Sequence, residues 1–189
     1  PSGPSAIISA VSTSRNDVWR VVVTPGDGLT EGPPGDVEVL VYNSPPQVAS
    51  VTLTPDDADT NQDLICQPID VSDWDGDESM VTVAWFIDEV EHSETTAILS
   101  HDQTARGQEV FCEVTPHDAF ESGVTVRSNV VTIENSAPTL TAAFIEPDSV
   151  RAGDMPTCQW PESAFIDPDG DADLSSVTWY VNDSLSGEG

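Results

Sequence analysis

Apolar and polar side chains alternate along several short stretches of this chain, most clearly between residues 81 and 87. A period of two is the geometry of a β-strand, whose successive side chains point to opposite faces. Residues 110–114 alternate in the same way around Phe111 and Glu113. We find no convincing amphipathic helix. The inward positions of the first stretch are Val81, Val83, Trp85 and Ile87.

Further short β-type runs, separated by proline and glycine, complete a set of six or seven predicted strands in about 92 residues. These runs span residues 48–54, 63–67, 95–100 and 125–133. Many short strands with turn residues between them indicate an antiparallel β-sandwich. The predicted fold class is therefore all-β.

The chain also repeats itself at a long period. Cys158 follows Cys66 by 92 residues, and Trp179 follows Trp85 by 94. Residues 112–118 and 135–138 likewise echo residues 21–27 and 43–46. A period of this length predicts a tandem array of small domains, because solenoid repeats built from one hairpin or helix pair are shorter.

Three residues of the repeat resemble a known signature. Cys66, Trp85 and Cys112 are similar to the Cys…Trp…Cys pattern of immunoglobulin-like domains, where they lie in strands B, C and F. The phrases DxDGD, CxVTPxD and NSxP also resemble tandem immunoglobulin-like or cadherin-like repeats of large secreted bacterial surface proteins. One departure is the spacing of 19 residues between Cys66 and Trp85, because an acidic segment enlarges the B–C loop.

The resemblance implies a core and a disulfide. Alternation turns Cys66 and Cys112 inward on facing strands, where they form either a bridge between the sheets or two buried free thiols. A bridge would imply an oxidising compartment. Cys158 is the odd cysteine. Trp85, with Trp179 and Trp19 in the other copies, is the expected core aromatic.

The repeat divides the chain into three expected segments. Residues 47–138 form a complete immunoglobulin-like repeat, residues 1–46 the C-terminal half of one (strands E, F and G), and residues 139–189 the N-terminal half of another (strands A, B and C). Two explanations stay open. The chain is an excerpt of a longer repetitive protein, or the half-domains of successive chains complete one another head to tail.

Charge narrows the possible partners. There are 34 acidic residues against five basic ones, giving a net charge of −29. This balance argues against nucleic acid and anionic membranes, which attract basic surfaces. No run is long enough for a membrane-spanning helix. The charge favours divalent cations, although solubility alone would also explain it.

Two acidic loops are the candidate metal sites. Alternating aspartates around a glycine place several carboxylates on one side of a turn, and calcium takes six to eight oxygen ligands. The B–C and F–G loops share one end of an immunoglobulin-like domain, so a cation there would lie at the junction with the preceding domain. The plain alternative is that these aspartates only stabilise turns. The expected ligands are Asp73, Asp75, Asp77, Asp118 and Asn43 at the first junction, and Asp167, Asp169, Asp171, Asp173 and Asn135 at the second.

These observations predict an extracellular or cell-surface structural repeat of a fibre, stalk or filament, with junctions stiffened by calcium and neighbouring copies as partners. The alternative is an adhesin or carbohydrate-binding repeat that presents its B–C and F–G loops to a surface glycan or protein. Trp74, at the tip of the acidic loop, would contact such a ligand or else pack on the linker prolines. No catalytic arrangement is recognisable, so an enzyme is not expected.

Overall fold

A computed structural model of the chain describes residues 6–188. The first five residues of the predicted segment 1–46 and the last residue of 139–189 lie outside this range. The described chain is built from antiparallel β-strands and three short 3-10 turns (Ala10–Ser12, His101–Gln103 and Glu162–Ala164), without an α-helix. The strands are β1 (Val18–Val23), β2 (Gly35–Leu40), β3 (Gln47–Thr54), β4 (Leu64–Ser72), β5 (Met80–Ile87), β6 (Val90–His92), β7 (Ile98–Leu99), β8 (Glu109–His117), β9 (Val126–Arg127), β10 (Val131–Thr132), β11 (Thr139–Leu140), β12 (Phe144–Glu146), β13 (Thr157–Gln159), β14 (Phe165–Ile166), β15 (Thr178–Val181) and β16 (Ser184–Glu188).

Strands β3 to β10 form two facing sheets around one apolar core, and we call this part the central unit. One sheet has the strand order β3-β4-β7, and the other has the order β10-β8-β5-β6 with β9 also paired to β8. Residues from both sheets form one buried cluster, to which each inward face contributes alternate positions. The largest members of this cluster are Trp85, Leu53, Leu64, Leu99 and Ile133.

Trp85 and the Cys66–Cys112 disulfide form the centre of this core. The Trp85 side chain is fully buried, and its indole N–H donates to the carbonyl oxygen of Thr96 at 2.8 Å. Its strand neighbour in β8 is Cys112, which is bonded to Cys66 in β4 across the two sheets, with 6.2 Å between the Cα atoms. The polar end of the tryptophan is therefore satisfied while its ring fills apolar space.

The strands of the central unit differ from the predicted runs at several places. β4 continues to Ser72 rather than ending at residue 67, because it pairs with β3 along its whole length. The predicted run 95–100 shortens to β7 at Ile98–Leu99. The predicted run 125–133 is interrupted between β9 and β10, where the Asn129 side chain bonds the backbone N–H and carbonyl of Leu53 in the opposite sheet.

In the N-terminal hairpin of β1 and β2, the sequence of β1 repeats the pattern of β8. The side chains of β1 are nevertheless not buried like those of β8. Val21 and Cys112 occupy equivalent positions; Val21 is 50% exposed and Cys112 is fully buried. The difference arises because no described strand covers this face of the hairpin. The strand expected before β1 is not formed, and residues 6–9 are irregular. In the central unit the equivalent strand, β7, is held by pairing with β4.

The C-terminal segment reproduces the first half of the central unit. β11 and β12 pair with β14 and β13, as β3 pairs with β4, and β15 pairs with β16 as β5 pairs with β6. The turn between β5 and β6 has two residues at positive φ, and so does the turn between β15 and β16. The expected aromatics of the outer copies, Trp19 and Trp179, are only partly buried, and the free Cys158 lies in β13.

Removing the disulfide is expected to destabilise the central unit strongly. The bridge closes a loop with a sequence separation of 46, for which the chain-entropy relation gives about 4 kcal/mol. In a unit of this size, the double variant Cys66→Ala/Cys112→Ala should melt on the order of 20 °C lower in a calorimetric scan. Cys158→Ala is the matched control and should melt like the unaltered chain. Equal melting of all three proteins would contradict the stabilising role of the bridge.

Candidate cation-binding junctions

The first acidic loop, residues 73–77, follows β4 and turns sharply at Gly76. Gly76 has a φ of 76°, in the left-handed region that favours glycine. Asp73 Oδ1 accepts the backbone N–H groups of Asp75 at 2.7 Å and Asp77 at 3.3 Å. One oxygen from each of Asp73, Asp75 and Asp77 lies within 4.8 Å of the others. The turn therefore gathers three carboxylates that repel one another.

Two buried oxygens at this junction have no hydrogen-bond donor. They are Asp73 Oδ2 and Asn43 Oδ1. A buried acceptor without a partner costs about 1–3 kcal/mol. Calcium binds six to eight oxygens at about 2.3–2.6 Å, so opposite ligands of one ion lie about 5 Å apart. The spacing of the three carboxylates and the unsatisfied oxygens both fit such an ion.

The linker that precedes β3 is attached to the same loop. Ser44 donates its backbone N–H to Asp75 Oδ2 at 2.7 Å, and the Asn43 side-chain amide donates to Asp118 Oδ2 at 3.0 Å. Asp118 follows β8 and is 7% exposed. The loops after β4 and β8 therefore meet at the linker, where Asp73, Asp75, Asp77, Asp118 and Asn43 were expected to converge.

Hydrogen bonds keep Asp118 ionised at this site. The backbone N–H of Glu121, the amide of Asn43 and the backbone N–H of Phe120, aided by the charge of Arg15, lower the pKa of Asp118 below its ordinary value of 3.8, against the opposing effect of desolvation. Asp27 accepts equivalent backbone bonds from Thr30 and Leu29 in the first copy, and these lower its pKa too. The carboxylate form is thus part of the turn itself.

An arginine from the preceding segment enters the first acidic loop. Arg15 lies just before β1, and its Nε and Nη2 groups donate to the two carboxylate oxygens of Asp77, each at 3.1 Å. Its backbone N–H donates to Asp75 Oδ1 at 2.9 Å. The guanidinium carbon lies 3.7 Å from the ring centroid of Phe120, in the loop after β8. This residue was not identified from the sequence. The signal that pointed to it was that only five basic residues accompany 34 acidic ones.

At the second junction an arginine also bonds an aspartate of the acidic loop, but its other contacts differ. Arg106, before β8, donates from Nη1 to Asp171 Oδ2 and to Asn135 Oδ1, and from Nη2 to Asp171 Oδ1 at 3.1 Å. This contact lowers the pKa of Asp171 and raises that of Arg106. Ser136 donates its backbone N–H to Asp169 Oδ2 at 2.8 Å, as Ser44 does to Asp75.

The expected ligands of the second junction are not drawn together like those of the first. Asp167 Oδ1 accepts the backbone N–H groups of Asp169 and Asp171. Asp173 is engaged elsewhere, because it accepts the Ser175 backbone N–H and the Trp160 indole N–H. Those bonds lower its pKa. Within residues 6–188, the first loop is the one group of three acidic side chains whose oxygens approach within 4.8 Å. Asp169 Oδ1 is nevertheless buried without a donor.

Trp74 does not pack on the linker prolines. Its side chain is 64% exposed at the tip of the first acidic loop. Pro46 is instead covered by Gly123, in the segment between β8 and β9: a Cβ on Gly123 would lie 1.9 Å from the Pro46 carbonyl oxygen and 2.9 Å from Pro116 Cγ. The linker thus lies directly on the backbone of this segment.

No protein-family model matches the chain, and no curated protein or solved structure is significantly similar to it. No helix among the described residues is both long and apolar enough to cross a membrane.

A methyl group at Gly123 should destabilise the junction. Because the Pro46 backbone blocks the space, Gly123→Ala must displace the linker or the loop, at a cost of about 1–3 kcal/mol. The loss is measured by thermal unfolding of the full chain. Gly35→Ala is the matched control, since a Cβ there has no neighbour within 4 Å. Unfolding of both variants at the same temperature would show that the linker does not lie against Gly123.

Proposed function

We propose that the chain is a structural repeat of an extracellular fibre, stalk or filament, built from tandem immunoglobulin-like β-sandwiches whose junctions are stiffened by calcium. The observation that carries the proposal is the contact of the acidic loop with the preceding segment. Asp75 accepts backbone N–H groups from both Arg15 and Ser44, so the loop belongs to the junction between copies. A repeat that serves as a spacer needs its acidic loops at the junction between domains.

Charge supports a cation in addition to the arginine. Four carboxylates meet at the first junction, and among residues 6–188 Arg15 is the one basic side chain bonded to them. Three negative charges remain, and charges in partly buried sites are weakly screened. A bound divalent cation would reduce these three negative charges to one. Calcium suits this donor set because every available ligand is an oxygen.

The oxygens without donors mark where calcium would bind. Asp73 and Asn43 each have one such buried oxygen, and Asp75, Asp77 and Asp118, whose oxygens also accept protein hydrogen bonds, would complete the set. Bound calcium would neutralise the loop and tie it to the linker. At the second junction, Asp169 has the free oxygen, and Asn135, Asp167 and Asp171 would complete the set, since hydrogen bonds link them to the same loop. Asp173 is outside this set, since its oxygens accept from Trp160 and Ser175.

The disulfide supports the extracellular location, because such bonds persist in oxidising compartments. The exposed apolar face of β1 and β2 supports neighbouring copies of the repeat as partners. In the central unit the equivalent face is covered by the opposite sheet, to which β3 and β4 belong. Strands β11–β16 of a second chain, or further residues of the same protein, would cover it in the same way.

Calcium should raise the melting temperature of the full chain and make it more extended and rigid in small-angle X-ray scattering. At a hundred times the dissociation constant, one bound ion stabilises the folded state by about 2.7 kcal/mol. Asp73→Asn should abolish this gain, because the amide keeps the turn acceptor Oδ1 but replaces the free oxygen with a donor. In chelator, the same variant should melt no lower than the unaltered chain, since one repelling charge is removed.

Asp148→Asn is the control for this measurement. Asp148 is exposed in the turn after β12, outside both acidic loops and both linkers, so its variant should respond to calcium like the unaltered chain. If calcium changed neither melting nor shape in any of the proteins, the cation part of the proposal would fail. The acidic loops would then act only as turns and as acceptors for Arg15 and Arg106.

An adhesive repeat is the second candidate, and the exposure of Trp74 favours it. An aromatic ring that is 64% exposed on a loop is available to stack on a sugar or to fill a pocket of a protein. On this hypothesis, Trp74→Ala should weaken binding to a glycan array or to host-cell matrix at least tenfold, without a change in melting temperature. Tyr180→Ala is the control, because Tyr180 is equally exposed but lies in β15. Absence of binding by the unaltered chain would exclude this candidate.

A further inference from the structure

Arg15 and Arg106 are carried by the same turn in successive copies of the repeat. In residues 14–17, Asp17 donates its backbone N–H to Ser14 O, and Asn16 donates to Val41 O after β2. In residues 105–108, the equivalent bonds run from Gln108 to Ala105 and from Gly107 to Ile133. Asn16 and Gly107 both have positive φ, at 70° and 84°. Each arginine therefore projects from a backbone that is fixed on both sides.

Both arginines select the same member of the following acidic loop. Arg15 donates two hydrogen bonds to Asp77, and Arg106 donates two to Asp171, the equivalent aspartate 94 residues later. Any arginine in a chain with 34 acidic residues will find a carboxylate. Chance does not explain why two arginines on equivalent turns contact equivalent aspartates of the next copy. The repetition indicates that the contact is a property of the repeat.

At the first junction, the contact is also built more firmly than an ordinary surface ion pair. The Arg15 side chain is 26% exposed, its partner Asp77 is 24% exposed, and the guanidinium lies over Phe120. A planar guanidinium can bond both carboxylate oxygens at once and stack on a ring, whereas an ammonium group acts as a point charge. The chain contains no lysine, and all five of its basic residues are arginines.

We propose that this arginine is the residue by which each repeat recognises and orients the repeat that follows it, with the acidic loop as its receptor. The partner of the acidic loop is thus another copy of the repeat, one that carries arginine on the turn before strand β8 or its equivalent. The arginine lies at the trailing end of one copy and the acidic loop at the leading end of the next. Copies can therefore join only head to tail.

The arginine contact does not require calcium. It uses the last aspartate of the loop, while the oxygens without donors belong to Asp73 and Asn43 at the first junction and to Asp169 at the second. The inference rests on the proposed tandem array. The aspartate that accepts from the arginine also belongs to the proposed calcium set, but its contact with the arginine is made without the ion. The two are separated by working in chelator, where no calcium contributes to the junction.

Amide hydrogen exchange of the full chain in chelator tests the proposal, because the reporter amides donate directly to the acidic loops. These are the N–H groups of residue 15 and Ser44 at the first junction and of Ser136 at the second. Arg15→Gln should speed exchange about tenfold at residue 15 and Ser44 and leave Ser136 unchanged. Arg106→Gln should do the reverse. Arg15→Lys should fall between, since it keeps the charge but loses the two-point contact.

Arg20→Gln is the matched control. Arg20 lies in β1 and pairs with Asp36 and Glu38 on the exposed hairpin, so its loss should change none of the three reporters. The backbone amide of Trp85 monitors global unfolding and should stay equally protected in every variant. Unchanged exchange at the reporters in both glutamine variants would overturn the proposal. A junction-specific acceleration with no effect of calcium would support it and contradict the cation alone.

Discussion

Mutual repulsion of carboxylates at the junctions is the constraint around which much of this molecule is arranged. The turn at Gly76 brings Asp73, Asp75 and Asp77 together, and Asp118 approaches from the neighbouring loop through its bond to Asn43. Such an arrangement is stable only if donors or cations surround it. The structure supplies backbone N–H groups, an amide and one guanidinium. Some of the backbone donors belong to the loops themselves, whereas Arg15, Asn43 and Ser44 belong to the preceding segment and the linker. Compensation of the charge therefore also joins successive copies.

The two junctions show how far this compensation is complete. At the first, the guanidinium is enclosed by Asp77 and Phe120, while two oxygens of Asp73 and Asn43 are left without donors. At the second, Arg106 also bonds Asn135, and the free oxygen belongs to Asp169. The arginine is common to both, whereas the position of the free oxygen shifts within the loop. This difference fits a fixed organic cation at both junctions and a proposed metal site whose strength varies.

The fold provides the rigid support for these loops. β4 ends at the acidic loop and β8 ends just before Asp118, and the two strands are tied by the Cys66–Cys112 bridge. A cross-link between the strands that carry the two loops limits how far the carboxylates can separate. The copies without this bridge have Val21 or the free Cys158 at the equivalent positions. In these copies the turn at Asp27 is held by its own backbone bonds, and the loop at residues 167–171 is held by Arg106 and Ser136.

Strand alternation, the repeat and the spacing of Cys66, Trp85 and Cys112 were sufficient to predict an all-β chain, its core tryptophan and the loops that meet at the linker. Period-two patterns depend only on local backbone geometry, so they can be recognised without a structure. The sequence could not tell that Val21 would be exposed while Cys112 is buried, because burial depends on a second sheet rather than on the strand itself. Nor could it indicate that Arg15 reaches Asp77, a contact across 62 residues. That contact follows from where the fold places two distant turns, which only the tertiary structure decides.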